Sequence, residues 1–230
     1  MANDDPILMD WRVYADATCA GLSALIPIPF VDLIFELIFR KRMPGAIAMV
    51  RGQELDLLAK TELGRSQSDL MTAKGCVILP LKLAKMIIKR IWRKLIYIFT
   101  IADAVNQLSA YWHRAFLLDH VIRAGHTLPG VDIDRTVEVF ERVLDEADTS
   151  GLVGLARQAV VGAKHVPMLL RRARRGSAER FTQEQEALLG AHWDTVETSL
   201  RKVAVAYNEA YVTMSSVPGC VGQDLREDCS

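Results

Sequence analysis

The chain has 230 residues, of which 50% are apolar, 24% are charged and 7% are aromatic. This composition is typical of a folded protein with a sizeable core and excludes an intrinsically disordered chain. The 28 basic and 28 acidic residues cancel, so any electrostatic recognition of nucleic acid or of an anionic surface must be local. The four cysteines form no Cys-x-x-Cys pair and no metal-ligand spacing, which favours a reducing compartment.

Apolar residues recur at three- and four-residue spacing along almost the whole chain, a pattern that predicts α-helices and no strands. We expect a first helix over residues 5–26. Pro27 and Pro29 remove two backbone donors, so they predict an extended link before a second helix over 30–43. These two helices would form an N-terminal helical hairpin.

The middle of the chain predicts three further helices. Pro44-Gly45 is a turn signal, so we expect a break there and a third helix over 46–63. A long helical stretch follows over 80–124 and is closed by Gly125. Because this stretch has no internal caps, we divide it into two helices near residues 100–103.

The second half of the chain continues in the same helical pattern. The turn at residues 128–130 predicts a helix that begins at Asp132 or Asp134. Two more helices are expected over 150–175 and over 182–214, and the second of these opens with the spacing of a capping box.

The fold class predicted from these elements is all-α. We expect an irregular multi-helix bundle of about seven or eight helices with the N-terminal helical hairpin. It would form a single domain over residues 1–214, with a sub-division near 128–130 as the alternative, and a disordered C-terminal tail over 215–230.

The strongest functional feature is the stretch 80–99, which carries six basic residues and no acid. At 100° per residue the basic side chains fall on one side of a helix, and apolar side chains form the opposite side. Such a helix can bind an anionic membrane surface, with Trp92 at the boundary. The alternative is an ordinary bundle helix with a solvated basic face. The predicted contact residues are Lys82, Lys85, Lys89, Arg90, Trp92, Arg93 and Lys94.

A secondary basic patch is predicted from two further clusters, if the fold brings them together. The first cluster follows the apolar stretch 19–39 directly, and the second lies at a helix end, where the helix dipole also favours positive charge. The residues of this patch are Arg40, Lys41, Arg42, Arg171, Arg172, Arg174 and Arg175.

Residues 19–39 contain no lysine or arginine, and their length approaches that of a membrane span. Asp32 and Glu36 would be costly at bilayer depth, so a buried or half-inserted hairpin is favoured over a transmembrane pass. The two carboxylates lie four residues apart and could pair with a basic residue such as Arg40. The dozen residues 21–32 resemble the small-residue and proline hairpins of bacterial membrane-associated helical proteins.

No residue pattern predicts a catalytic site, a metal site or a cofactor. The histidines lack metal-ligand spacing, and no nucleotide-binding loop or nucleophile motif is present. The enzyme alternative is a metal or acid-base site built around Asp32, Glu36, Asp119 and His120.

The function that we expect from these features is non-enzymatic. The protein would be a cytoplasmic binding or scaffolding protein at the inner face of a membrane, because its acidic amino-terminal residues do not open like a secretory signal. Its partner would be an anionic membrane surface or another protein. Nucleic acid, bound by the same basic helix, is the less favoured alternative because the overall charge is neutral. The sequence leaves the oligomeric state open.

Overall fold

The computed structural model describes residues 10–25, 31–65, 97–163, 183 and 186–216. This part of the chain contains seven bounded α-helices, one short 3-10 helix, Ser23–Leu25, a further helical stretch over residues 186–191, and no strand. The all-α class, the multi-helix bundle and the pairing of the first two long helices are confirmed. The α-helices are Trp11–Leu22 (α1), Val31–Arg51 (α2), Leu57–Leu63 (α3), Tyr97–Arg123 (α4), Ile133–Glu146 (α5), Ser150–Gly162 (α6) and Trp193–Ser216 (α7).

Helix α4 is the central element of the bundle. It packs most extensively against α1 and also contacts α2, α6 and α7, while α5 packs against α7. The side chains of Leu108, Trp112 and Leu117 on α4 are completely buried, and the Trp112 indole N–H donates to Oγ1 of Thr18 on α1 at 2.9 Å. The buried apolar residues of the described helices form one hydrophobic cluster. The domain boundaries predicted from the sequence remain a prediction.

Two helix starts are set by aspartate caps, which satisfy backbone amides that have no partner within the helix. Asp132 accepts a hydrogen bond from the amide of Arg135 at 3.1 Å, so α5 begins where the sequence predicts. Asp10 accepts one from the amide of Arg12 at 3.1 Å, and α1 therefore begins at Trp11 instead of at residues 5–6.

The predicted break at Pro44-Gly45 is wrong, because α2 continues through Pro44 to Arg51. Met43 and Ile47, on either side of the proline, are buried in the core, and this packing outweighs the loss of one helical hydrogen bond. The helix ends instead at Gly52, which adopts a positive φ of 64°. The amides of Gly52 and of the following residue bond back to the last turn of α2, as in a glycine-terminated Schellman motif.

The predicted division of the long helix at 100–103 is also wrong, since α4 runs without interruption from Tyr97 to Arg123. This helix contains neither glycine nor proline, and Ala104, Val105 and Leu108 are buried immediately after the proposed division. Its predicted closure is confirmed, because Gly125 has a φ of 77° and its amide bonds to the carbonyl of Ile122.

The last predicted helix is divided in the structure. Residues 186–191 are helical, a turn follows at His192, and α7 then runs to Ser216. Helix α6 ends at Gly162, and the remainder of the predicted helix over 150–175 lies outside the described residues. The same holds for the predicted tail from residue 217 onwards.

Candidate functional site

The basic helix predicted over 80–99 can be placed only in part, because its predicted contact residues lie outside the described residues. The structure therefore describes only the first of the two clusters in the secondary patch. The residues left outside are Lys82, Lys85, Lys89, Arg90, Trp92, Arg93, Lys94, Arg171, Arg172, Arg174 and Arg175.

The three basic residues at the middle of α2 occupy three different environments. Arg40 is buried, with 6% of its surface exposed. Arg42 makes a bidentate ion pair with Asp16 of α1, at 2.6 and 3.0 Å, and this contact raises the pKa of its guanidinium through the hydrogen bond to the carboxylate. Lys41 is exposed. The fold thus uses Arg42 to join α1 to α2 and leaves Lys41 at the surface.

Helix α2 presents apolar side chains to solvent next to Lys41. Ile34 is 55% exposed, Ile38 is 51% exposed and Met49 is 82% exposed. At 100° per residue these three residues and Lys41 fall within about 80° of one another around the helix axis. We call this set the α2 outer stripe. Exposed apolar residues that share one helix face with a cation form a surface that can contact a partner or a membrane interface.

The short helix α3 adds to the apolar exposure near this stripe. Leu57 and Leu58 are 75% and 64% exposed. The side chain of Lys60 lies over Gly45 of α2, where a Cβ would be 3.1 Å from Cε of the lysine. Helix α3 therefore places a second lysine beside α2.

The carboxylates of the apolar stretch 19–39 lie within the fold. Asp32 is buried, and Oε1 of Glu36 accepts a hydrogen bond from the hydroxyl of Tyr111 on α4 at 2.7 Å. Among the residues that the structure describes, no helix is both long enough and apolar enough to cross a membrane.

The residues of the enzyme alternative do not converge on one site. Asp119 forms a bidentate ion pair with Arg51 at 2.6 and 2.9 Å, and Nε2 of His120 donates to Oδ1 of Asn208 at 2.8 Å. Both contacts lie toward the C-terminal end of α4, whereas Glu36 is bonded to Tyr111, more than two turns earlier on that helix. Within the described part of the chain, no group of three or more potential ligands could hold a metal ion.

A cavity between α2, α4 and α5 was not predicted from the sequence. Its volume is about 290 Å³, and it is partly open to solvent. Three helices contribute its polar lining, which includes Glu36, Arg40, Tyr111, His113, Arg114 and Glu141. We call it the α2–α5 cavity.

His113 lines the α2–α5 cavity, and one of its ring nitrogens has no hydrogen-bond partner among the described residues. The side chain is 1% exposed, and Nδ1 lies 2.8 Å from the carbonyl oxygen of Ser109. A carbonyl can only accept, so Nδ1 carries the proton and Nε2 of the neutral ring is left as an acceptor. Nε2 is buried and lacks a hydrogen-bond partner among the described residues. Burial lowers the pKa of His113 below its usual range, which keeps the ring neutral.

Arg114 connects three elements at the other side of the same cavity. Its guanidinium donates to the carbonyls of Leu63 and Arg65, at 2.9 and 2.8 Å, and to the carboxylate of Glu141 at 2.8 Å. The guanidinium also lies over the ring of Phe140, 5.0 Å from its centroid. Its Nε–H is buried and lacks a partner among the described residues. Arg114 thus holds the end of α3 and the middle of α5 against α4.

From three partly or fully buried histidines we expect the free energy of unfolding to decrease on mild acidification. Burial lowers the pKa of His113, His120 and His126 below the ordinary value of 6.5, so the unfolded chain binds protons first as the pH falls. The stabilisation is complete above pH 6.5 and is lost as the pH falls through the lowered values. We expect the melting temperature to be lower at about pH 5.5 than at about pH 7.5. The measurement is thermal unfolding at these two pH values, and a melting temperature that stays constant or rises would contradict the prediction. The melting temperature of the variant His113→Asn should depend less on pH, because one of the three titrating groups has been removed.

Comparison with protein-family models, with curated proteins and with solved structures finds no match to this chain. The fold therefore defines the protein only as an all-α helical bundle, a class that does not by itself specify a function.

Proposed function

We propose that the protein is a non-enzymatic binding or scaffolding protein that associates with the cytoplasmic face of an anionic membrane. The observation that carries this proposal is the α2 outer stripe, where exposed Ile34, Ile38 and Met49 share one helix face with Lys41. A helix that lies in a membrane interface needs such a face, with apolar side chains among the acyl chains and cations near the headgroups.

The basic stretch 80–99 is the second support, and it rests on sequence. It supplies six cations without a compensating acid, and each basic residue near an anionic surface contributes roughly 1 kcal/mol. Six such residues would add more attraction than Lys41 and Lys60 alone. The proposal therefore assigns the electrostatic contact to residues 80–99 and an apolar contact to the α2 outer stripe.

Co-sedimentation of the full chain with lipid vesicles tests the electrostatic part of this proposal. We expect binding to vesicles that contain phosphatidylserine and little binding to phosphatidylcholine alone. Charge reversal of Lys89 and Arg93 to glutamate should weaken binding by at least about tenfold, because it removes two attractive charges and adds two repulsive ones. Unchanged binding of this double variant would reject the assignment, and salt-sensitive binding to DNA without binding to lipid would favour the nucleic-acid alternative.

A matched pair of variants tests the apolar part. Ile34→Ser with Ile38→Ser removes two exposed apolar side chains from the α2 outer stripe, and burial of each would contribute about 1.5–3 kcal/mol. We expect binding to weaken by at least about tenfold. The control is Val205→Ser with Val212→Ser, which removes two exposed apolar side chains from α7. Equal effects of the two pairs would exclude the α2 outer stripe as the contact.

A further inference from the structure

We propose that the contact between the end of α7 and the connection from α4 to α5 is a pH-sensitive switch, in which protonation of His126 releases residues 208–214 while the rest of the bundle stays folded. We call residues 208–214 the α7 end segment. The proposal rests on the ring contacts of His126 and on the burial pattern of α7. It is independent of membrane association, because none of the residues that carry it belongs to the α2 outer stripe.

His126 lies in the connection between α4 and α5 and contacts two tyrosines of α7. Its ring is stacked on that of Tyr211, with 3.9 Å between the centroids and 8° between the planes. Its Nδ1 lies 3.0 Å from the hydroxyl oxygen of Tyr207, whose side chain is completely buried. Because the two tyrosines are four residues apart, this one imidazole contacts two successive turns of α7.

The ring of Tyr211 also contacts a permanent cation. Cζ of Arg135, in the first turn of α5, lies 3.9 Å from the ring centroid, and the same guanidinium donates to the carbonyl of Tyr211. Two planar groups cannot occupy one face of a ring at this distance, so the imidazole and the guanidinium lie on opposite faces. The centroid of the His126 ring and Cζ of Arg135 are therefore at most about 8 Å apart.

Protonation of His126 would place a second cation against Tyr211, opposite Arg135. At a separation of about 8 Å, two cations that are partly shielded from water repel each other. His120 is a further titratable group beside the cluster, and its ring packs edge-on against Tyr207. Partial burial of His126, and then the neighbouring His120 and Arg135, lower the pKa of His126 below its ordinary value. A protonated imidazole would also make Nδ1 an obligatory donor, so the Tyr207 hydroxyl could no longer donate to it.

The acidic groups on the surrounding elements are engaged elsewhere or exposed. Asp119 of α4 forms the bidentate ion pair with Arg51, and Asp132 accepts from the backbone amide of Arg135 at the start of α5. The exposed charged residues at these ends of α4, α5 and α7 are Arg123, Asp134, Glu138 and Glu209. The neutral imidazole is therefore the form that fits the cluster.

The α7 end segment depends strongly on this cluster. Val203, Ala204 and Tyr207, which precede the segment, are buried in the core, but none of the residues 208–214 is buried. Tyr211 is half-buried, and its ring and carbonyl make the contacts described above. Segments with few buried contacts open at a lower free energy than the core. Weakening of the His126 contacts is therefore expected to release this segment before the helices beneath it.

NMR spectroscopy of the full chain tests the proposal. The helical secondary shifts of Cα in the α7 end segment should decrease by about half or more between about pH 7.5 and about pH 5.5, while those of α1 change by less than about a tenth. The decrease should follow the same titration curve as the His126 ring, because neutral His126 stabilises the closed contact and this stabilisation is lost as the pH falls through its lowered pKa. Unchanged shifts in the segment, or a parallel loss in α1, would overturn the proposal.

His126→Phe is the matched variant. Phenylalanine keeps a ring that can stack on Tyr211 but cannot bind a proton, so the α7 end segment should keep its helical shifts at about pH 5.5. His192→Phe replaces an exposed histidine and should behave like the unmodified protein. Release of the segment in His126→Phe at the lower pH would refute the assigned role of His126.

Arg135→Gln tests the repulsion separately and also decides the question if His126→Phe does not fold. Loss of the guanidinium removes the cation opposite the imidazole, so the pKa of His126 measured by NMR should rise, whereas Arg135→Lys should keep it closer to that of the unmodified protein. Equal His126 pKa values in Arg135→Gln and in the unmodified protein would contradict the proposed mechanism.

Discussion

Replacing Arg114 by methionine is expected to lower the free energy of unfolding by about 3 kcal/mol. The substitution removes the donors for the carbonyls of Leu63 and Arg65 and leaves the carboxylate of Glu141, which is only 20% exposed, without its cation. Losing one partner of a largely buried pair is costly because the remaining charge is still desolvated. Equilibrium unfolding in urea measures the change.

The control for this variant is Arg142→Met. Arg142 pairs with Glu138 one helical turn away on the surface of α5, and both side chains are about half exposed. An exposed pair of this kind contributes at most a few tenths of a kcal/mol. If the two methionine variants were equally stable, the proposed role of Arg114 in joining α3, α4 and α5 would be wrong.

Gly21→Ala is expected to destabilise the protein by about 1–3 kcal/mol, although alanine is intrinsically the better helix former. A Cβ at this position would lie 2.5 Å from the backbone Cα of Leu108. Backbone cannot move aside as a flexible side chain can, so α1 and α4 would have to separate at this contact. Thermal or urea unfolding measures the loss.

A second glycine provides the matched comparison for Gly21→Ala. Gly154 lies inside α6, and nothing is within 4 Å of the place where its Cβ would be. Gly154→Ala should therefore stabilise the protein by about 0.5–1 kcal/mol, through helix propensity and the restriction of the unfolded chain. A lower free energy of unfolding for Gly21→Ala together with a higher one for Gly154→Ala would support the close contact of α1 and α4. A higher free energy of unfolding for Gly21→Ala would refute it.

Local signals explain which parts of the fold could be predicted. The helical spacing of apolar residues is encoded within each segment, and so are the cap at Asp132 and the termination at Gly125. The continuation of α2 through Pro44 could not be predicted in this way, because it depends on the burial of Met43 and Ile47 against other helices. Local helix propensity predicts a break at Pro44, but the packing of α2 against the other helices outweighs this propensity.

The α2–α5 cavity shows why the site was harder to predict than the fold. Glu36 and Tyr111 are 75 residues apart in the chain, and Arg114 and Glu141 are 27 apart, yet each pair is in direct contact. The spacing of residues in one sequence identifies neighbours within a helix, but it gives no information on contacts between residues of different helices. Asp32 and Glu36 are spaced to share one face of α2, yet Asp32 is buried whereas Glu36 accepts a hydrogen bond from Tyr111 on α4.

Helix α3 has only seven residues, which is below the length at which an isolated helix persists in water. Its order therefore comes from its neighbours: the Asp56 amide bonds to the carbonyl of Thr127, and Arg114 holds the carbonyls of Leu63 and Arg65. Its release would expose little more of Leu57 and Leu58, which are largely exposed already. Its detachment would, however, expose the completely buried Ala59 and Leu63 and break the Arg114 contacts, so we expect α3 to open only together with the core packing beneath it.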